Sequence, residues 1–224
     1  MNLIKTILKI ALKAALVVVG ILGIVFTAQS SAFMGGASVF FFFTVQSNIF
    51  IIAMAFIFLI NEIMLLLNKK SFVNQILLHI KYVATVAITI TFLVFFTMLA
   101  PLMGADYLLS FNNFSLHAIV PILAIVDFIL FDTDIKLTYK NCLLCTIPPI
   151  CYVIFVYVGS IFKLQYSENL YYPYFFLDYE SNGFLFEKGF GIIPWIIILV
   201  IGICGLGYLY CFIIKVRQKL QSKE

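Results

Sequence analysis

Six apolar runs, each long enough to cross the hydrocarbon of a bilayer, leave this chain few other ways to fold. They lie near 9–28, 39–66, 76–100, 114–131, 143–161 and 190–214. A helix rises 1.5 Å per residue, so roughly 20 residues cross about 30 Å of hydrocarbon. Of the 224 residues, 64% are hydrophobic and 11% charged, and the mean hydropathy is +1.13. A soluble domain is nearer half apolar and a quarter charged. The expected fold is an all-α integral membrane protein, a single transmembrane domain over 1–224 built as a bundle of six helices. Its connections are short, except the one from about 162 to 189.

The charges orient the bundle. With six spans, both termini share a side. Lysines 5, 9, 13, 69, 70, 81, 136, 140, 215, 219 and 223 and Arg217 fall at ends on that side, and only Lys163 and Lys188 fall on the other. Short basic loops stay in the cytoplasm during insertion, so both termini are expected to be cytoplasmic in a multi-pass protein of the cell membrane. The formal charge of +4 is then topological, with some attraction to anionic lipid, and it gives no argument for nucleic acid. A rival reading makes the first span a signal peptide, with Lys5, Lys9 and Lys13 before an apolar run and the small residues AQSSA. The retained helix is the preferred reading.

The five cysteines, Cys142, Cys145, Cys151, Cys204 and Cys211, lie in the inner half or the middle of spans five and six. None is in an outer loop, where oxidation would make disulfides. Cys142-x-x-Cys145 is a lone pair without a nearby histidine, which argues against zinc. The glycines of Gly202-Ile-Cys-Gly-Leu-Gly207 sit inside an apolar span, where close helix packing explains them better than phosphate binding. Nothing suggests a metal or an organic cofactor.

The polar residues inside the spans carry the functional information. Span two opens with Phe40-Phe-Phe-Phe-Thr-Val-Gln-Ser-Asn-Ile-Phe50. Thr44 is expected about 7–9 Å below the outer end of that span. Thr44, Ser47 and Asn48 share a helical face, while Gln46 points elsewhere. Polar groups facing lipid tails are costly, so that face should look into the bundle or a wet cavity. Any one of them could simply join helices; four in five positions call for more. In span four, His117 lies at a similar depth, and Pro121 cannot donate the backbone bond to the His117 carbonyl, which loosens the helix there. His79, beside Lys81, reads as interfacial.

Three acids complete the inventory. Asp127 lies about 15 Å deeper than His117 and cannot orient it. It reads as a structural carboxylate paired with Lys81, Asn61 or water, or as a proton-relay residue in a transporter. Glu62 is placed to reach the headgroups. The loop Tyr171-Tyr-Pro-Tyr-Phe-Phe-Leu-Asp-Tyr-Glu-Ser-Asn-Gly183 is aromatic enough for an interfacial belt, yet it returns beside Thr44 and His117 and could roof a cavity. Its Asp178 is available to hold an imidazole.

Phe-Thr-x-Gln-Ser-Asn in span two, Leu-His-x-x-x-Pro with a following Asp in span four, and Tyr-Pro-x-x-Phe-Leu-Asp in the last outer loop resemble the FAR/AIG-type family of integral membrane hydrolases. The resemblance runs from about residue 40 to 185. It implies cleavage of a lipid ester, of the fatty acid ester of hydroxy fatty acid type, with Thr44 as nucleophile and His117 as its base. A threonine hydroxyl attacks only once a nearby base takes its proton. The amides of Gln46 and Asn48 are then candidate oxyanion donors, with Ser47 as a positioning residue and Asp178 as the group orienting His117. The expected partners are an amphiphilic ester and the surrounding membrane lipids. The alternative is a multispanning lipid or small-molecule transporter using the same polar face. Against it, no inverted repeat or paired broken helices are visible.

Overall fold

The computed structural model describes residues 3–30, 37–166 and 170–222. Lys223 and the residues Ser31 and Ala32 of the cleavage-like stretch lie outside them. Six helices are long and apolar enough to cross a membrane: α1 (Leu3–Gln29), α2 (Phe43–Leu66), α3 (Gln75–Leu102), α4 (Phe111–Phe131), α5 (Tyr139–Ile161) and α6 (Ile192–Gln221). The four middle helices match the apolar runs within a few residues. The outer two run further at their charged ends, because Lys5, Lys9, Lys215, Arg217 and Lys219 end an apolar run without ending a helix. Large apolar side chains such as Phe56, Ile201 and Phe212 stay exposed on outer faces, as expected of helices solvated by lipid.

Small residues let the helices close on one another. A Cβ on Gly20 of α1 would overlap the Ile52 side chain, and one on Gly23 would overlap Ser115 and Leu116. In α6, a Cβ on Gly207 would stand 2.9 Å from the Tyr82 hydroxyl and 3.0 Å from Cys142 Cβ. The Gly207 carbonyl accepts from that same hydroxyl at 2.8 Å. Gly202 and Gly205 meet nothing so near, so the close-packing role expected of the three glycines belongs to Gly207.

Toward the end that holds the termini, the core is charged. Asp127 is fully buried, and so are Lys13 and Lys81. Lys13 Nζ donates to Asp127 Oδ1 at 2.6 Å, and Lys81 Nζ donates to Asp127 Oδ2 at 2.6 Å. Lys81 also pairs with Asp132 and lies 4.4 Å from the centroid of the Phe58 ring. Two lysines and two aspartates thus neutralise one another and tie α1, α3 and the end of α4 together. This confirms the Asp127–Lys81 pair read from the sequence and corrects three other readings. Lys13, counted from the sequence among the charges at the span ends, faces the bundle interior. Glu62 is buried and paired with Lys9 at 3.3 Å. Asn61 accepts from the Ser71 hydroxyl and the Phe72 N–H, bracing the α2–α3 loop, and is not the partner of Asp127.

Candidate functional site

Two irregular turns shape the opposite end of the bundle. Phe95–Leu99 in α3 and Ser115–Ile119 in α4 are π-helical turns, the wide turns that recur where helices carry function. Both precede a proline, Pro101 in α3 and Pro121 in α4. Proline brings no N–H to the carbonyl four residues earlier, so the helix just before it is free to widen. In α4 the Val120 N–H goes to the Ser115 carbonyl, and Pro121 has none to offer. The Leu116 carbonyl therefore takes its donor from another helix, Asn48 Nδ2 of α2, at 3.0 Å.

The two wide turns meet face to face. The rings of Phe95 and His117 are stacked, with centroids 3.7 Å apart and planes inclined by 24°. His117 Nδ1 lies 3.0 Å from the Asn113 carbonyl oxygen. A carbonyl can only accept, so Nδ1 carries the proton and Nε2 keeps the basic lone pair. The orienting group is this backbone carbonyl, not Asp178. The Asp178 carboxylate accepts from the Glu180 and Ser181 N–H groups, each at 3.1 Å, and from the Ser181 hydroxyl at 2.6 Å. It caps the single turn Tyr179–Asn182 and does not line the cavity that holds His117.

The polar face of α2 looks into the bundle, as its spacing predicts. The Ser47 hydroxyl bonds the Thr91 hydroxyl of α3 at 2.9 Å. Asn48 Nδ2 donates to the Thr44 carbonyl at 2.8 Å as well as to Leu116. Both N–H groups of that amide are thereby committed, which removes Asn48 from the oxyanion donors. Gln46 points away: its Nε2 donates to the Phe40 carbonyl at 3.1 Å, and it lines a separate cavity with Ser47. Gln46 and Ser47 are not on the wall that carries Thr44 and His117. Donors of another kind stand beside Thr44. It lies in the first turn of α2, where backbone N–H groups have no partner within the helix. The Tyr174 phenol meets the side chain and backbone of Thr44 and the backbone of Phe43, and its burial raises its pKa, so it keeps its proton. Tyr174 is held in place by Phe176, stacked at 5.1 Å, and by Phe42 and Tyr152, each at 6.2 Å.

Thr44 and His117 line one cavity of about 150 Å³. Its polar wall adds Thr27, Ser30, Asn112 and Asn113, and Pro173 and Tyr174 of the long loop roof it. Asn113 is buried, and its Oδ1 has no protein donor. A second cavity, of about 70 Å³, is almost wholly apolar and extends between α3, α5 and α6 to Ile90, Leu199 and Ile203. The two share Thr44, Phe95, Leu99 and Tyr174, so Thr44 stands at their junction. Sequence reasoning passed over Phe95, the Asn113 carbonyl and Tyr174. Pro101, the pairing of Asn113 and His117 four apart, and Tyr174 beside Pro173 were the available signals.

Elsewhere, His79 Nδ1 lies 2.6 Å from the Gln75 carbonyl of its own helix. The five cysteines are free thiols. Among the described residues, no group of three or more His, Cys, Asp or Glu side chains could hold a metal ion. Comparison of the chain with family models, curated proteins and solved structures finds no match.

Proposed function

We propose that this protein is a membrane-embedded ester hydrolase in which Thr44 is the nucleophile and His117 its general base. The observation that carries the reading is the placing of both side chains on the wall of one cavity, with His117 held by Nδ1 so that Nε2 is the basic nitrogen. The resemblance of the three sequence motifs to FAR/AIG-type hydrolases supports it. The charge pattern puts both termini in the cytoplasm and the site within the outer leaflet of the cell membrane, where an amphiphilic ester presents its carbonyl near water.

The chemistry follows from the groups present. Nε2 takes the proton of the Thr44 hydroxyl as Oγ attacks the ester carbonyl. The negative charge that develops on the carbonyl oxygen falls near the Tyr174 phenol, which serves as the oxyanion donor. Collapse expels the alcohol, which takes the proton from Nε2–H and leaves an acyl-Thr44 ester. Water, deprotonated by Nε2 in turn, hydrolyses that ester, releases the acid and returns the proton to Thr44. Transport with Asp127 as a mobile proton carrier is the weaker reading, because both of its carboxylate oxygens are engaged by lysines.

The test is turnover of lipid esters by the purified protein. His117→Ala should lower kcat/KM by about 10²–10⁴, the usual worth of a positioned base, and Thr44→Ala by at least as much. Undiminished turnover in either variant would refute the assignment.

A further inference from the structure

We infer that the apolar cavity beside Thr44 is a side port, and that its occupant is the acyl chain of an ester dissolved in the bilayer, which slides in between α5 and α6 beneath the long loop. The port follows from packing alone. That the chain brings an ester carbonyl to Thr44 rests on the hydrolase reading above.

The two helices that flank the cavity meet at one end only. Toward the termini α5 lies hard against α6: the Tyr139 and Tyr208 rings stack with centroids 4.3 Å apart, and Cys142 fills the space beside Gly207. From Ile147, with Pro148 and Pro149 in the turn that follows, α5 hardly touches α6, while α3 packs against both. All three still line one cavity, α5 through Pro149 and Val153, α6 through Leu199 and Ile203, and α3 through Ile90 and Val94. Burial deepens from mouth to floor. Pro149, Val153 and Leu199 are half-buried, whereas Ile90 and Ile203 are buried. Two walls that part over a third helix leave a cleft, and its open side faces away from α3.

Depth and the loop decide what lies outside that mouth. Tyr157 of α5 donates to the Leu177 carbonyl at 2.9 Å, and Trp195 of α6 packs 5.8 Å from Phe175 and 6.2 Å from Phe176. The loop thus bridges the parted helices and closes the cavity toward the water at that end. Below it, Leu199 and Ile203 lie about 10 and 16 Å from the loop end of α6, and Val153 lies about 12 Å from that of α5. Those depths fall within roughly 30 Å of hydrocarbon, so the mouth opens on lipid tails.

The size and lining of the cavity select the occupant. A helix is about 10 Å across, and a roofed cavity of about 70 Å³ has no room for one. A single hydrocarbon chain is the narrow apolar body that the surroundings supply, and it regains the contacts that an empty apolar cavity forgoes. Two of the polar side chains on the wall are engaged elsewhere: Thr91 donates to the Ala87 carbonyl and Tyr152 to the Phe41 carbonyl. Thr44 and Tyr174 are the other two, and they stand together. The polar end of the chain therefore stops at the nucleophile.

Photolabelling tests the port, and a chain-length comparison tests its link to Thr44. The full-length protein is reconstituted in phosphatidylcholine vesicles that contain a long-chain methyl ketone, the unhydrolysable counterpart of a methyl ester, with a diazirine at mid-chain. Irradiation should leave adducts on Ile90 and Ile203 inside the cleft, and on Ile201, which is 66% exposed and meets lipid in any case. Leu199→Trp and Val153→Trp plug the mouth from opposite walls and should each abolish the inner adducts while sparing that on Ile201; Ile201→Trp should leave the inner adducts in place. In both plugged variants the ratio of kcat/KM for a long-chain methyl ester to that for methyl acetate should fall at least about tenfold, the loss of about two buried methylenes at about fourfold each. Adducts confined to exposed residues such as Ile201 would mean that something other than lipid covers the cleft and would overturn the inference, as would a ratio that neither tryptophan lowers. Inner adducts without turnover of any ester would support the port and sink the hydrolase reading alone.

Discussion

Removing Asp127 should strongly destabilise the protein, and removing one of its lysines as well should restore most of the loss. Each lysine nitrogen sits 2.6 Å from a different oxygen of this carboxylate. At an effective dielectric of about 20, one such contact is worth about 6 kcal/mol of attraction. Most of that offsets the several kcal/mol spent desolvating each ion. Asp127→Leu loses both attractions yet leaves Lys13 buried without a partner and Lys81 with Asp132 alone. The expected cost is about 3–5 kcal/mol, the range for breaking a buried pair from one side. Lys13→Met leaves one excess negative charge and should cost a similar amount. The double variant keeps the Lys81–Asp132 pair and restores neutrality, so it should fall within about 1–1.5 kcal/mol of wild type, because replacing a whole buried pair is often neutral. Denaturant titration in micelles measures all three, followed by the fluorescence of the single tryptophan, Trp195, which packs 5.8 Å from Phe175 in the wild type. Singles costing under about 1 kcal/mol, or a double variant whose loss equals the sum of the singles, would refute this reasoning.

Other perturbations probe separate parts of the account. Tyr174→Phe keeps the aromatic packing and deletes the phenol beside Thr44, so it should lower kcat by about 10²–10³ with KM little changed, as loss of one oxyanion donor does; steady-state kinetics check it. Asn48→Leu strips the Leu116 and Thr44 carbonyls of their shared donor and should lower the unfolding free energy by about 1–3 kcal/mol. Gly23→Val should cost about 1–3 kcal/mol through overlap with Ser115 and Leu116, whereas Gly205→Ala, where a Cβ meets nothing within 4 Å, should be close to neutral. Both are read from denaturation midpoints in the same micelles.

The bundle was legible because hydrocarbon allows so few structures. Uninterrupted apolar runs become helices there, and the polar residues that interrupt them have to turn inward. That logic turned Thr44 and His117 inward, where they line one cavity, and expected a loosened helix at Pro121 and a loop able to roof a cavity; the carbonyl that takes its donor from another helix is that of Leu116, not of His117. It failed where partners are chosen in three dimensions. Asp178 looked free to orient an imidazole, but a carboxylate that follows Phe175-Phe-Leu177 also caps the next turn, and the nearer N–H groups won. Asn48 looked like an oxyanion donor because nothing in its own helix reveals that Leu116, sixty-eight residues on, lacks a partner. Counting charges makes Lys13 one more charge at a span end, since its acid lies 114 residues away. Backbone groups such as the Asn113 carbonyl, which does the orienting, leave no mark in a sequence at all.

The central claim is that the Thr44 hydroxyl is activated by His117, and locating a covalent adduct tests it most directly. Wild-type protein is treated with a fluorophosphonate, digested and analysed by mass spectrometry. The account predicts one modified peptide, carrying its adduct on Thr44, and loss of that adduct in His117→Ala protein that remains folded. An adduct on Ser47 or any other hydroxyl, or equal labelling of Thr44 without the imidazole, would contradict it.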